Sequence, residues 1–480
     1  MTRDKTDLLV VGGGIDALAA ATVVARAGHS VRLICAESSV GEIDASREFH
    51  PGYRSAGLRP LSAPRPAVVA RLRLEQFGYL SRIRPESDAE RALVAPLLDE
   101  MAPIIATIHE FADGAPRDLI DPPFLEMLKL GGSLRRTRRA MGHSGFADAL
   151  RVLPMSIEDW LSEKIEDPKQ RAHIAASALF GGWVGPMSPS SAFLWLLAHA
   201  GGHHEPVGGG PTLVAALEAA AGAAGVSIET STTVEDWIIE DDRVVGACTD
   251  AGDHRTHQLL SCVHPGTTLL DRLGAREIPA TLREDLGSYR SRGIVAVMHV
   301  ALDGPVVGDE QRWIGDSPLA WERAFDAAKH GTIPEHPCLC LRVVSATDAS
   351  LAPEGGSVIQ LQVFSVPVVA PEIADQQRDQ LAARVLEQLR CHDEQLAASV
   401  VGHQLITPTD LEQQHHLPGG HLEHGELALD QIFSLRPCVG IGRYRTPIPG
   451  LWIAGAGTHP GGPFPASSGV LAADQILAAM

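Results

Sequence analysis

Basic charge is scarce in this chain. Its 480 residues hold 40 Lys and Arg against 59 Asp and Glu, a formal net charge of −19. Broad binding to a phosphate backbone needs a cationic surface, so no nucleic-acid partner is expected. Cysteine is scarce too, at 7 residues. With no leader peptide recognisable, that count points to free thiols in a reducing compartment, and the expected location is cytoplasmic. Cys338 and Cys340 lie one residue apart, which is not a zinc spacing. His415, His416, His421 and His424 are broken up by Pro418-Gly419-Gly420, and His203-His204 falls in a glycine-rich stretch, so no metal site is expected. No internal repeat is present, and no Ser, His and Asp are spaced for nucleophilic catalysis. The apolar stretch from Leu8 to Ala25 is interrupted by three consecutive glycines and Asp16, which makes it soluble core rather than a membrane span.

What the chain does have is a strong opening. Asp7 to Val11 is an apolar run without a helical stripe and reads as a buried parallel strand. Gly12-Gly13-Gly14 follows, then an Ala-rich helix from Ala17 to Ala27 that Gly28 stops. Val31 to Ile34 reads as a second strand. Strand, glycine turn, helix, strand is the start of a dinucleotide-binding βαβ unit. Gly12 allows the tight turn, Gly14 allows backbone to approach a pyrophosphate, and Ala17 is the small residue that lets helix and strand pack closely. The helix N-terminus offers free N–H groups and partial positive charge to phosphates.

Arg59 to Pro66 reads as a linker leaving the first domain. From Ala67 to about Ala200 the pattern is mainly helical, with Ala89–Phe111 as a long amphipathic segment. Arg135, Arg136, Arg138 and Arg139 form the one basic run, which reads as a solvated helix face or a contact for anionic lipid headgroups. Gly201 to Pro211 reads as loop, with Thr212 capping a helix to about Ala224. A strand at Val226, a hairpin over 234–249 and a short strand at Leu259–Val263 return the chain to the first sheet. Ile294–Leu302, Leu339–Ser345 and Val358–Val366 read as strands of a second sheet, and Pro371–Arg390 as a long helix. A second glycine-rich loop, Gly455-Ala456-Gly457-Thr458, precedes a final helix from about Ser468.

Together the opening unit, the segment Phe49-His50-Pro51-Gly52-Tyr53-Arg54, Gly208-Gly209-Gly210, Gly425-Glu426-Leu427, Phe433-Ser434-Leu435-Arg436-Pro437 and the closing Gly455–Gly462 loop resemble the phytoene-desaturase-like branch of the FAD-dependent amine-oxidase superfamily. The resemblance spans the chain. It implies an α/β fold: a discontinuous Rossmann-like FAD-binding domain from residues 1–60, 205–290 and 440–480, plus a mixed α+β substrate domain from 61–204 and 291–439. It implies FAD as cofactor, with Val234 near the adenine and Gly455, Gly457 and Thr458 along the ribityl chain and flavin. It further implies an oxidoreductase that moves a hydride from an apolar substrate (a polyene, terpenoid or other lipophile) to flavin, with an electron acceptor that the sequence does not name. His459, His50 and Tyr53 are candidates for touching substrate or flavin.

Four features depart from the family pattern. Cys35 stands where an acidic residue binds the adenosine ribose, and Glu37 would replace it if the chain stays extended. Gly41-Glu42 stands where the family has two glycines, placing a carboxylate beside phosphate. Asp16 could compete with phosphate for the helix N–H groups. Between Leu80 and Ala92 the chain passes almost directly into a helix, where the family has a strand-rich cover. These departures motivate an alternative reading: a flavin-free or flavin-degenerate scaffold acting as a binding subunit or a non-redox isomerase or cyclase.

Overall fold

The computed structural model describes residues 5–480, apart from 86, 119, 121 and 274–277. Strand Thr6–Val11 lies at the centre of the first sheet, with Val31–Ile34 on one side and Gly252–Ser261 on the other, all parallel. Ser227–Glu229 and Leu451–Ile453 extend the parallel set. Strands from three separate stretches therefore share one sheet. Leu8 and Val10 face one core and Leu9 and Val11 another. Both faces of a parallel sheet must be covered, which is why this strand shows no polar alternation. Helices Ile15–Arg26, Gly209–Ala223 and Ser467–Ala479 cover the first face.

Gly252–Ser261 is longer than the apolar run Leu259–Val263 suggests. Its first half pairs antiparallel with Arg243–Thr249, and its second half pairs parallel with Thr6–Val11 and Leu451–Ile453. Only the second half is buried on both faces, so only that half reads as a strand from hydrophobicity.

The second sheet is antiparallel and runs Gln311–Ile314, Leu339–Val343, Ser357–Phe364, Val295–Leu302, Val400–Ile406 in spatial order. One face carries Met298, Val300, Ile359 and Leu361 and packs on helix Pro371–His392. The other face carries Gln360, Gln362 and His299 and looks toward the first domain. A helical layer, including Asp88–Asp113, Phe124–Val152 and Ser191–Ala200, closes the third side.

Two local expectations change. A strand, Ser81–Ile83, does precede the long helix, paired with His204–Pro206 inside the expected loop. Thr212 does not cap its helix. The helix starts four residues earlier, with Gly208 rather than Thr212 at its N-cap, and the Thr212 hydroxyl donates back to the Val207 carbonyl at 2.6 Å.

Candidate cofactor and substrate site

The first strand ends at Val11, and Gly12 takes φ +112, a conformation that favours glycine. The helix N-cap is Gly14, with no side chain capping it. Gly14 is exposed although Val11, Ile15 and Ala17 around it are buried, and a Cβ built on it would meet nothing within 4 Å. Open space thus faces the first N–H groups of the helix, which have no intrahelical acceptor. The loop at Gly41 closes over this turn: its N–H donates to the Gly13 carbonyl at 2.8 Å. Gly41 sits at φ +67, and any side chain there would run into Val214.

The residues that break the family pattern all have local explanations. The Glu42 carboxylate pairs with Arg47 and lies 3.8 Å from His415, so its charge is compensated away from the glycine turn. Asp16 does not compete for the N–H groups of its own helix. Its Oδ1 accepts from Gly469 N at 2.9 Å, joining the first turn of the opening helix to that of the final helix. Removal from bulk water raises its pKa to about 6. Cys35 is buried, and its side chain is packed against Gly13, where a Cβ would be 3.0 Å away. Burial pushes its thiol up to about 12, so it presents no anion. Glu37 does not lie one pleat along an extended strand, because the chain bends after Cys35. Its carbonyl accepts from Ser231 N at 2.7 Å, and its half-buried side chain remains near the turn.

The second glycine loop is held by a fully buried cation. Arg436 is 0% exposed and donates all five of its N–H groups to carbonyls: Ala456, Glu426, Gln431, Glu423 and Gly425. This ties the 423–431 segment to the Gly455–Gly462 loop. Ser468 Oγ accepts from Gly455 N at 2.9 Å and meets Thr458 Oγ1 at 2.7 Å. Thr458 is therefore buried inside the loop, and Gly457 packs against Pro265 and His424, while Gly455 and Ala456 line the cavity.

That cavity encloses about 1860 Å³ including its open mouth. Asp16, Arg59, Glu423, Gly455, Ala456 and the Pro460–Pro465 stretch form one wall. The second sheet contributes Trp313, Cys340, Arg342 and Gln362. The helical layer contributes Phe180, Leu194, Trp195 and His199. Arg59 forms a two-point ion pair with buried Asp44 and lies 3.7 Å from Glu423.

The remaining expected residues fall outside the cavity. Val234 starts a strand of the first domain's hairpin, and its carbonyl accepts from Arg272 at 3.2 Å. His459 lies near Gly114 O at 3.0 Å through Nε2, and burial lowers its pKa to about 4, so it braces the loop as a neutral ring. The His50 ring lies tilted against that of Tyr53, whose hydroxyl donates to Leu302 O. Of the other histidines, His199, His203 and His421 line the cavity, and burial takes His421 down to about 3. No group of three or more potential metal ligands is found among the described residues. Arg135, Arg138 and Arg139 are exposed, and Arg136 pairs with Glu110 at 2.8 Å.

The sequence reading missed Arg59, Asp44, Glu423 and the polar face of the second sheet. One signal was present. In Ser357-Val-Ile-Gln-Leu-Gln-Val-Phe, Gln360 and Gln362 are two apart and share one face of an otherwise apolar strand.

The glycine cradle, the compensated carboxylates and the braced second loop fit a dinucleotide lying between the two glycine loops. Residues 7–300 match a family model described as FAD binding domain, FAD_binding_2. Pyridine nucleotide-disulfide oxidoreductase domain-containing protein 2 of Rattus norvegicus is 26% identical, over 99% of this chain and 94% of the relative, and its Mus musculus counterpart is likewise 26% identical. Among solved structures, an oxidoreductase from Methanosarcina mazei (TM-score 0.61, 16% identity, 98% of this chain and 100% of that one) shares the fold. So does a putrescine oxidase bound to putrescine (TM-score 0.60, 16% identity, 99% of each chain). The chain belongs to the FAD_binding_2 family and is an FAD-binding oxidoreductase.

Proposed function

We propose that this protein oxidises a C–H bond of a molecule with a large apolar body, seated in the cavity between the Gly455–Gly462 loop and the second sheet. The observation that carries the reading is the cavity itself. It opens directly onto Gly455 and Ala456 at one side and is walled by Phe180, Leu194, Trp195 and Trp313 at the other. FAD bound at the glycine cradle supplies the hydride acceptor. The chain's own residues position and dehydrate. Arg436 fixes the loop so that small residues, Gly455 and Ala456, present backbone to the cavity. The aromatic and aliphatic walls exclude water, which would otherwise compete for a reactive centre. Asp16 anchors the N-terminus of the final helix at the same wall. Gly12, Gly14 and Gly41 would hold the pyrophosphate, and Glu37 the adenosine ribose. A polyene or terpenoid, as in phytoene desaturases, belongs within this proposal as one substrate class. The test is anaerobic mixing of the flavin-loaded protein with lipophilic candidates. Bleaching of the flavin bands supports redox use, whereas product without bleaching would indicate isomerisation.

A second reading concerns location. Phe124, Met127 and Leu128 are exposed on the helix that also carries Lys129, Arg135, Arg138 and Arg139. From 129 to 139 that helix has five cations and no acid, in a chain of net charge −19. Apolar side chains beside cations support peripheral contact with an anionic membrane surface. Co-sedimentation with vesicles containing anionic lipid, lost in neutral vesicles and in a Phe124→Ser, Arg138→Glu variant, is the expected result.

A further inference from the structure

The cavity face of the second sheet contains an ordered row of side chains. Trp313 is directly opposite Cys340, and Cys340 is directly opposite Gln362, across three adjacent strands. All three line the cavity. Two polar atoms in this row have no hydrogen-bond partner: Trp313 Nε1 and Gln362 Oε1. Their residues are 7% and 1% exposed. Buried polar atoms are nearly always paired, so a donor and an acceptor left open in one row need an account.

The polarity of the Gln362 amide is fixed by its neighbours. Gln360 Nε2 donates to the Gly57 carbonyl at 2.6 Å, and a carbonyl can only accept. Gln360 Oε1 must therefore be the acceptor that faces Gln362, and Gln362 Nε2 donates to it at 3.2 Å. The relay ends on Gln362 Oε1, a buried and unpaired acceptor on a residue that lines the cavity. Trp313 Nε1 can only donate. The two positions are two strand spacings apart, roughly 9.5 Å.

We propose that Gln362 and Trp313 anchor the ligand of this cavity. The ligand is a molecule with an apolar body that carries a hydroxyl or amino group, whose O–H or N–H donates to Gln362 Oε1, and that has a second polar atom accepting from Trp313 Nε1. This deepens the proposal above and rests on reading the cavity as the substrate site. It separates the ligand from a pure hydrocarbon. A hydrocarbon would cover both polar atoms without pairing them, and a site built around a hydrogen bond discriminates strongly against a ligand that cannot make it.

The experiment uses the flavin-loaded full chain and three probes: 4-phenylbutan-1-ol, 4-phenylbutylamine, and the methyl ether of the alcohol. The ether keeps an acceptor and lacks a donor. Binding is read by titration calorimetry without turnover, and the visible flavin bands report the cofactor separately. Loss of those bands would therefore count against the flavin reading and not against the anchor. In the wild type the alcohol, the amine or both should bind roughly 3- to 10-fold more tightly than the ether. Which of the two binds more tightly identifies the donor. Gln362→Leu should reduce the gap to less than about 2-fold, and Trp313→Phe should leave the gap and all three affinities within about 2-fold, because no probe carries the second polar atom that Trp313 Nε1 would meet. Should Gln362→Leu fail to fold, Gln362→Met takes its place. Equal affinities in the wild type, a gap that survives both Gln362 variants, or no saturable binding of any probe would overturn the proposal.

Discussion

The glycine cradle and the cavity face of the second sheet sit on opposite sides of the same site and are built in opposite ways. The cradle is local. Gly12, Gly14 and Ala17 fall within six residues, and their work is done by backbone: one turn at positive φ, free helix N–H groups, and the absence of side chains. The sheet face is assembled from distant segments. Trp313, Cys340 and Gln362 meet only because three strands lie side by side, and their work is done by side-chain atoms. A backbone site tolerates sequence drift around it, as Cys35, Glu42 and Asp16 illustrate. Each departs from the family pattern, and each is absorbed by a local partner or by packing. A side-chain site has no such latitude, because each donor or acceptor is a particular residue.

The sharpest challenge to this comparison is Arg436, a side chain on which a backbone loop depends. Arg436→Ala would leave the carbonyls of Ala456, Gln431, Glu423 and Gly425 without donors, while Glu426 O keeps Gln431 Nε2 at 3.0 Å, and a loss of at least about 4 kcal/mol is expected in urea unfolding, with loss of bound FAD. Arg436→Lys should fail nearly as badly, since an ammonium has three donors rather than a planar five. Survival of either variant with near-wild-type stability would show that the loop is held by something else.

Gly14→Val separates cofactor binding from folding. The position has φ −74 and open space, so stability without FAD should change by less than about 1 kcal/mol. FAD affinity, read by fluorescence quenching, should fall by roughly 100-fold or more, because the side chain would fill the approach to the helix N-terminus. A variant that loses stability but keeps FAD would invert the assignment of roles.

Asp16 offers a pH test. Its folded pKa of about 6 lies above the ordinary 3.8. Its contribution to stability is therefore complete below about pH 4 and lost as pH rises through 6. Asp16→Asn keeps an acceptor for Gly469 N and removes the charge. In the cofactor-free protein it should be more stable than the wild type by about 2 to 3 kcal/mol at pH 8, with the difference fading toward pH 4. A pH-independent difference would mean that Asp16 stays ionised throughout.

The smallest effect concerns Glu37. If it holds the ribose in place of Cys35, Glu37→Gln should weaken FAD by roughly 3- to 10-fold without altering the flavin spectrum. Unchanged affinity would assign the ribose to backbone groups near the turn.

The parallel sheet, the opening unit, the closing glycine loop and the long helices were readable because each rests on a short-range pattern: an apolar run, a glycine spacing, or a helical stripe. Gln311–Ile314 and Val400–Ile406 were not, since as outer strands of the second sheet they lack the continuous apolar run that marks burial on both faces. Asp16 and Glu42 looked hostile to a phosphate because a sequence shows their charge and not their partners. Gly469 lies 453 residues beyond Asp16 in the chain. Arg59 and Glu423, or Gln362 and Trp313, carry no mark of pairing in the sequence for the same reason.

By itself, then, the sequence determined the cofactor class and the alternation of elements, because a dinucleotide cradle is written in consecutive residues and recognised by backbone. The tertiary structure alone decided which carboxylates are compensated, which histidines are neutral braces, and which buried polar atoms beside the cavity stay unpaired. Those properties depend on burial and on contacts between residues hundreds of positions apart, and no local pattern encodes them.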